Sequence, residues 1–509
     1  MRRATLVYGD RVGFVDEPMQ PAESWGSCTY NEMARRAAAF GAGLDRLGIG
    51  VGERIAIVSH NSARLMTMLF GVSGSGRVLV PINFRLVAEE VQYIVEHSGA
   101  RMLLIDPELG EAMAAVRCER KLVIGADADA ELMDFSRPPT PWSPDEDATA
   151  TINYTSGTTA RPKGVQMTHR NIWTNAVTFG WHLGVNDRDV YLHTLPQFHC
   201  NGWGMLYAAT GMGARHIMLR KVDGAEILRR IDEHGVTLMC GAPAVINMVL
   251  DAAQSWDGPI PGGGQVRVVV AGAPPPTRTV ERVETELGWE FNQIYGLTET
   301  SPLLTINRNR AEFDSLSPGE RAARLSRAGA PAIGIEIAAS PDGEILARGN
   351  HVMGGYWEQP DQTLAAIHPM SGDDDGVDWF HTGDGGFVDG DSYLAIADRK
   401  KDVIISGGEN VSSIEVEDAL FSHPDVAEVA VIGVPDEKWG ELVLGLIVRT
   451  PGGRVTEDEL IAYVKGKLAG YKCPKRLEFR DELARTTTGK LQKFKLREPY
   501  WAGLGKAVN

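Results

Sequence analysis

At 509 residues the chain can bury two or three separate cores, and 43% hydrophobic with 23% charged residues is the balance of a globular protein. No run approaches the roughly 18 consecutive apolar residues of a transmembrane helix, and a net charge of −16 argues against general nucleic-acid binding. Five dispersed cysteines (Cys28, Cys118, Cys200, Cys240 and Cys473) form no C-x-x-C pair, which argues against a zinc site or a disulfide framework.

The apolar stretch after Met1, Arg2 and Arg3 is broken by Asp10 and Arg11. It is too short for a signal peptide, so a cytoplasmic protein is expected. From about residue 30 to 300, strand-like runs at 54–59, 78–81, 102–105, 150–154, 237–240 and 266–271 alternate with amphipathic segments of helical length at 30–47, 63–73, 170–181, 225–233 and 277–287. This alternation predicts α/β layers with largely parallel sheets. Residues 307–327 are charged and Ser-rich and read as an exposed excursion. From 334 to 398 the period shortens to two, in 334–339, 343–347 and 393–397, which predicts a distorted antiparallel barrel closing the large part. The charged run Asp398-Arg-Lys-Lys-Asp402 marks a boundary. We expect a large domain over 1–400 and a small, mobile α+β domain over 401–509, with helices at 413–420 and 457–468 and strands at 427–434 and 443–448. Between Lys465 and Arg497 basic residues outnumber acidic ones, which is either a solvated face or a local site for a polyphosphorylated small molecule.

The most informative segment is Tyr154-Thr-Ser-Gly-Thr-Thr-Ala-Arg-Pro-Lys-Gly-Val165, directly after a strand. A loop dense in hydroxyls and glycines, with one lysine, presents N–H and O–H donors to phosphate oxygens. It is not a Walker A loop, because Lys163 is followed by Gly164 rather than Ser or Thr. Five further segments follow: Leu195-Pro-Gln-Phe-His-Cys-Asn-Gly-Trp203, Tyr295-Gly-Leu-Thr-Glu-Thr-Ser-Pro302, His381-Thr-Gly-Asp384, Asp398-Arg-Lys-Lys-Asp-Val-Ile-Ile-Ser-Gly-Gly-Glu-Asn410 and Thr488-Gly-Lys490.

In order and spacing these six segments resemble the adenylate-forming superfamily of acyl-CoA synthetases, luciferases and peptide-synthetase adenylation domains. The likeness runs from about Tyr30 to Tyr500 and is greatest to the fatty-acyl-CoA synthetases of medium- and long-chain acids. It implies that Thr155, Ser156, Gly157, Thr158, Thr159 and Lys163 hold ATP phosphates. Gly272, Ala273, Tyr295 and Gly296 would flank adenine, and Asp384 with Arg399 would take the ribose. Thr298 would donate to a phosphate, and Glu299 with Thr155 would serve Mg²⁺ on the phosphates. Lys490 is the implied catalytic lysine, bridging carboxylate and α-phosphate as negative charge gathers. The small domain would then rotate about Lys401, exchanging the Lys490 face for the loop of Gly407 and Gly408, so that coenzyme A can attack. Arg85, Tyr471 and Lys475 are the implied CoA contacts. Two departures stand out: Ala160 where the family usually has Gly, costing about 1 kcal/mol or more if φ is positive there, and Cys473 where some relatives have Arg.

His199 matches a residue at the junction of acyl and thiol channels, and Trp203 falls where some relatives place an indole gate. Core packing is the plainer reading of Trp203. Cys200, Trp203, Ala271 and Leu297 would line a small apolar acyl pocket beside His199, with no candidate cation for a second carboxylate. The expected activity is therefore ATP-dependent ligation of a medium- or long-chain fatty acid, or a related apolar acid, to CoA through an acyl-AMP. An aryl or short thioether acid remains open. Expected partners are ATP, CoA, the acid and Mg²⁺, with no nucleic acid and no integral membrane segment; a homodimer is compatible. A peptide-synthetase adenylation domain is the nearest rival, but it places Asp where this chain has His199. A luciferase-like monooxygenase and a non-catalytic ATP-binding protein are the others.

Overall fold

The computed structural model describes residues 1–155, 161–370, 376–399, 402–406, 409–436, 439–485 and 491–502. Two large mixed sheets carry the N-terminal part. One has seven strands, with Arg54–Val58, Val78–Ile82 and Ala100–Ile105 parallel at its centre. These are buried on both faces, which is why they read as unbroken apolar runs rather than alternating ones. At its other end the sheet turns antiparallel through Thr149–Thr155 and Lys163–Thr168, and ends on the two-residue strand Gly355–Tyr356. The second sheet has nine strands, with Val190–His193, Leu238–Gly241, Arg267–Val270 and Glu290–Gly296 running parallel.

Helix starts follow side-chain chemistry. Thr29 with Glu32 and Thr168 with Asn171 each form a reciprocal cap, which fixes the entry of Tyr30–Arg46 and His169–His182. The period-two region forms a five-stranded antiparallel sheet around the long strand Asp378–Val388. The C-terminal part is a second α+β unit in which Val426–Asp436 and Gly440–Arg449 pair along their length over helices Ser413–Phe421 and Glu457–Lys465. Among the described residues no helix is long and apolar enough to cross a membrane.

The differences from the sequence expectation are local. The helix expected over 277–287 is α-helical only to Arg282 and finishes as a π turn, Val283–Leu287, closed by Gly288 at φ +66°. The helix expected to reach 468 stops at Lys465, where Gly466 caps it. The excursion over 307–327 is mostly exposed, as expected, but it carries a helix of its own. Ser317 and Glu320 cap the helix Pro318–Leu325, Ala322 and Leu325 bury into the core, and Asn307 Nδ2 donates to the Arg324 and Arg327 carbonyls at 2.8 and 2.9 Å. Helices Arg2–Tyr8, Ala88–Ser98, Met205–Met212 and Pro243–Ala253 and strands Val12–Val15 and Ser27–Thr29 were not anticipated.

One contact between the two parts is specific. The Asp418 carboxylate accepts from the Thr277 backbone N–H at 2.9 Å and from its hydroxyl at 3.2 Å, and Arg278 donates to the His423 carbonyl at 3.1 Å. Asp418→Ala should cost this contact about 1 kcal/mol. Amide exchange at Thr277 should then quicken several-fold while that of Val426–Asp436 stays unchanged; equal rates in both proteins would mean the contact carries no weight.

Candidate functional site

The hydroxyl-rich loop sits on the antiparallel pair Thr149–Thr155 and Lys163–Thr168, which sets Thr155 directly opposite Lys163. Ser156, Gly157, Thr158 and Thr159, and the atypical Ala160, lie outside the described residues. Both strands of the pair are braced close to the loop. The Trp357 N–H donates to the Gly164 carbonyl at 2.7 Å. A Cβ at Gly164 would meet Ile152 at 2.9 Å and the Tyr154 ring at 3.1 Å, so glycine makes room for both. The Lys163 ammonium lies 4.7 Å from the centroid of the Tyr356 ring.

Strand Glu290–Gly296 runs into the one-turn helix Thr298–Thr300. The passage requires Gly296, since a Cβ there would fall 1.6 Å from the Pro302 carbonyl oxygen. Tyr295 donates its hydroxyl to Asp384 Oδ2 at 2.9 Å, and both residues are buried. Asp384 faces Arg399 across the antiparallel pair of Asp378–Val388 with Leu394–Arg399. Glu299 is half-buried, and its Oε1 accepts from the Tyr356 hydroxyl at 2.9 Å. Burial, with Glu299 beside it, pushes the Tyr356 phenol well above its ordinary pKa, so it stays a donor. Thr298 is buried and accepts from the Cys200 thiol at 3.1 Å. Gly272 leaves strand Arg267–Val270 at φ +94°; it and Ala273 are exposed, while Ala271 is buried.

The Leu195–Trp203 motif ends in a conformation that the sequence did not announce. Cys200, Asn201, Gly202, Trp203 and Gly204 all have positive φ, between +46° and +76°, a left-handed turn starting after His199. Each non-glycine residue in that region costs roughly 1–2 kcal/mol, so the turn must be held by its surroundings. Three buried asparagines hold it. Asn201 Nδ2 donates to Thr151 Oγ1 at 3.0 Å, Asn153 Nδ2 reaches both Asn201 Oδ1 and the Phe198 carbonyl, and Asn175 Nδ2 donates to the Trp203 carbonyl at 3.1 Å. The strand before the motif is fixed by a neutral histidine pair. Gln197 contacts His193, His193 contacts His216 at 3.0 Å, and burial lowers the His216 pKa to about 3. Trp203, Cys200, Ala271 and Tyr295 belong to one apolar cluster, and Leu297 packs against it.

Of the residues assigned to CoA, Arg85 is exposed with its guanidinium 4.8 Å from the Phe84 ring centroid, and Phe84 meets Phe198 edge-on at 5.5 Å. That places Arg85 beside the His199 motif. Tyr471 and Lys475 are exposed on the small domain, where Lys475 donates to the Gly470 carbonyl at 2.9 Å. Cys473 is wholly buried in that domain's core, with its thiol turned to the Leu468 and Ala469 carbonyls, so nothing at this position reaches a solvent-borne phosphate. Lys401, Gly407, Gly408 and Lys490 lie outside the described residues. Tyr356, Asn153 and Asn175 were missed by sequence reasoning. Asn201 stood inside a recognised motif with no role given to it, and only an aromatic in an unremarkable Gly-Tyr-Trp run pointed to Tyr356.

The antiparallel strands flanking the hydroxyl-rich segment, the Tyr295–Asp384 pair and the Thr298–Thr300 turn on paired α/β layers, followed by a small α+β unit, define an adenylate-forming enzyme. Residues 1–357 match the AMP-binding enzyme family and residues 415–490 match the AMP-binding enzyme C-terminal domain, and the chain belongs to this family. It is 36% identical to a 2-methylpropanoate–CoA ligase of Humulus lupulus over an alignment 549 positions long, gaps included, which covers 100% of this chain and 95% of the relative. It is 35% identical to a 4-hydroxybutyrate–CoA ligase of Metallosphaera sedula, covering 92% of this chain and 89% of the relative. Among solved structures it resembles ATP-bound MatB from Rhodopseudomonas palustris, with 27% identity, 98% of this chain and 97% of that chain covered, and a TM-score of 0.82.

Proposed function

We propose that this chain, an AMP-forming acid–CoA ligase, activates an apolar monocarboxylic acid whose length is limited by Trp203. The observation that carries the substrate class is the single buried cluster of Cys200, Trp203 and Ala271, with Leu297 against it, next to the Thr298–Glu299 turn; none of these four side chains carries a charge. Burial of the indole favours acids at the shorter end of the apolar range over the medium- and long-chain fatty acids that the sequence alone suggested. Ligases for four-carbon acids among the relatives support the same choice.

In the first step a carboxylate oxygen attacks the α-phosphorus of ATP and pyrophosphate leaves. Thr155, Ser156, Gly157, Thr158, Thr159 and Lys163 hold the phosphates, Gly272, Ala273, Tyr295 and Gly296 frame adenine, and Asp384 with Arg399 holds the ribose. Thr155 and Glu299 offer hard oxygen donors, the chemistry that fits Mg²⁺, which would neutralise the phosphate charge. Lys490 stabilises the charge on the α-phosphoryl group. In the second step the CoA sulfur attacks the acyl carbonyl, loses its proton, and AMP leaves. Here the small domain (401–509) turns on Lys401 against the large one (1–400) and brings up Gly407 and Gly408, while Arg85, Tyr471 and Lys475 meet the nucleotide end of CoA and His199 stands where acid and thiol converge.

The test is a panel of acids from four to sixteen carbons scored for CoA-dependent AMP release, in wild type and Trp203→Ala. The wild type should prefer the short members, and Trp203→Ala should move the optimum at least one step longer. Identical profiles would return Trp203 to a packing role, and no CoA-dependent AMP release from any acid would sink the ligase reading. Because removing a buried indole costs about 3–5 kcal/mol of stability, melting is followed in parallel.

A further inference from the structure

We infer that Tyr356 is a positioning residue for the MgATP site, setting the carboxylate of Glu299 and the ammonium of Lys163 at once. The inference rests on the roles proposed above for those two residues and adds a third, outside every motif by which the site was recognised.

The geometry is short-range. Strand Gly355–Tyr356 is only two residues long, yet it pairs with Gln166 and Val165 and so extends the sheet that carries the phosphate-loop strands. Its ends are fixed: Tyr356 N–H donates to Thr363 Oγ1 at 2.9 Å, Trp357 N–H to the Gly164 carbonyl at 2.7 Å, and Trp357 Nε1 to the His97 carbonyl at 3.2 Å. Gly355 has φ +134°, a conformation that favours glycine, and this delivers the next ring inward. The Tyr356 ring is buried in a cluster with Val165, Met353 and Phe380. From there its hydroxyl donates to Glu299 Oε1, while its face lies under the Lys163 ammonium. The Met353 N–H also donates to the Glu299 carbonyl at 2.8 Å, so backbone and side chain of Glu299 are both held from this one segment.

Each contact has a distinct consequence. A carboxylate that gives one oxygen to a fixed phenol keeps a single rotamer and a defined direction for its other oxygen, which is how an outer partner orients a metal ligand. The π face draws the Lys163 ammonium towards itself and away from the Glu299 oxygens, a cation–π contact. The two opposite charges are thus separated by one ring instead of quenching each other in a direct salt bridge, and both stay available to a phosphate and its metal. A hydrogen bond to a charged group is worth about tenfold or more in an equilibrium.

The experiment is calorimetric binding of ATP to the full chain, with Mg²⁺ and with EDTA, for wild type, Tyr356→Phe, Glu299→Gln and the double variant. Tyr356→Phe keeps the ring and hence the fold and the cation–π contact. It should weaken MgATP about tenfold and leave metal-free ATP unchanged, and the double variant should be no weaker than Glu299→Gln alone. An equal loss with and without metal would overturn the inference, because the phenol would then serve the pocket rather than the carboxylate. MgATP affinity unchanged in Tyr356→Phe but lowered in Glu299→Gln would overturn the inference and spare the metal assignment. No change in either variant would remove both.

Discussion

Lys490→Ala is expected to lower the rate of acyl-AMP formation about a hundredfold to a thousandfold, the effect of removing roughly 2.7–4 kcal/mol of charge stabilisation from the transition state. The same variant should convert chemically prepared acyl-AMP and CoA to the thioester at close to the wild-type rate. The reason is the conflict between the two steps. A cation placed on the in-line path of carboxylate and α-phosphorus helps the first attack, but the thiol then needs that space. Lys401→Pro should behave in the opposite sense, forming and retaining the adenylate while transfer slows, because fixing φ at the proposed hinge would resist rotation. General destabilisation would depress both steps together, so the two variants check each other. Equal loss of both half reactions in Lys490→Ala, with melting temperature unchanged, would end the case for domain alternation in this protein.

How much of this was legible beforehand depended on the kind of signal. The α/β layers could be read because buried parallel strands such as Arg54–Val58 and Val78–Ile82 are continuous apolar runs, and helices such as Tyr30–Arg46 are amphipathic segments of helical length. The short edge pieces could not. Val12–Val15 and Gly355–Tyr356 are too brief to show a period, and each joins its large sheet through a partner about two hundred residues away. In the site, motif residues such as Tyr295, Glu299 and Asp384 were recognisable because a chemical type stood in a fixed local string. The left-handed turn over Cys200–Trp203 was invisible, since two of its residues have glycine neighbours but nothing in the string says that Cys200 and Trp203 themselves adopt positive φ. What enforces it is tertiary: Asn153 from one strand and Asn175 from a helix, neither of which carries a local signature. Tyr356 escaped for the same reason.

Asp384→Ala should be the second large effect, and its specificity is testable on the substrate side. The carboxylate already accepts from the Tyr295 hydroxyl at 2.9 Å, so in the proposed site the residue would both tie down the aromatic beside adenine and offer charged oxygen to the ribose diol. Two hydrogen bonds to a charged acceptor are worth about 1.5–3 kcal/mol each, and losing them also leaves a buried phenol without this acceptor. The expected loss in kcat/KM for ATP is therefore about a hundredfold to ten-thousandfold, with the rise in KM contributing most of it. Paired measurements with ATP and 2′-deoxy-ATP separate ribose recognition from general damage. Wild type should discriminate against the deoxynucleotide by tenfold or more, on the order of one such bond, whereas Asp384→Ala should use both nearly alike. If the variant keeps the full wild-type preference for the ribonucleotide, Asp384 does not touch the 2′-hydroxyl. Its loss of activity would then be traced to the freed Tyr295 ring, which Tyr295→Phe in the wild-type background would reproduce.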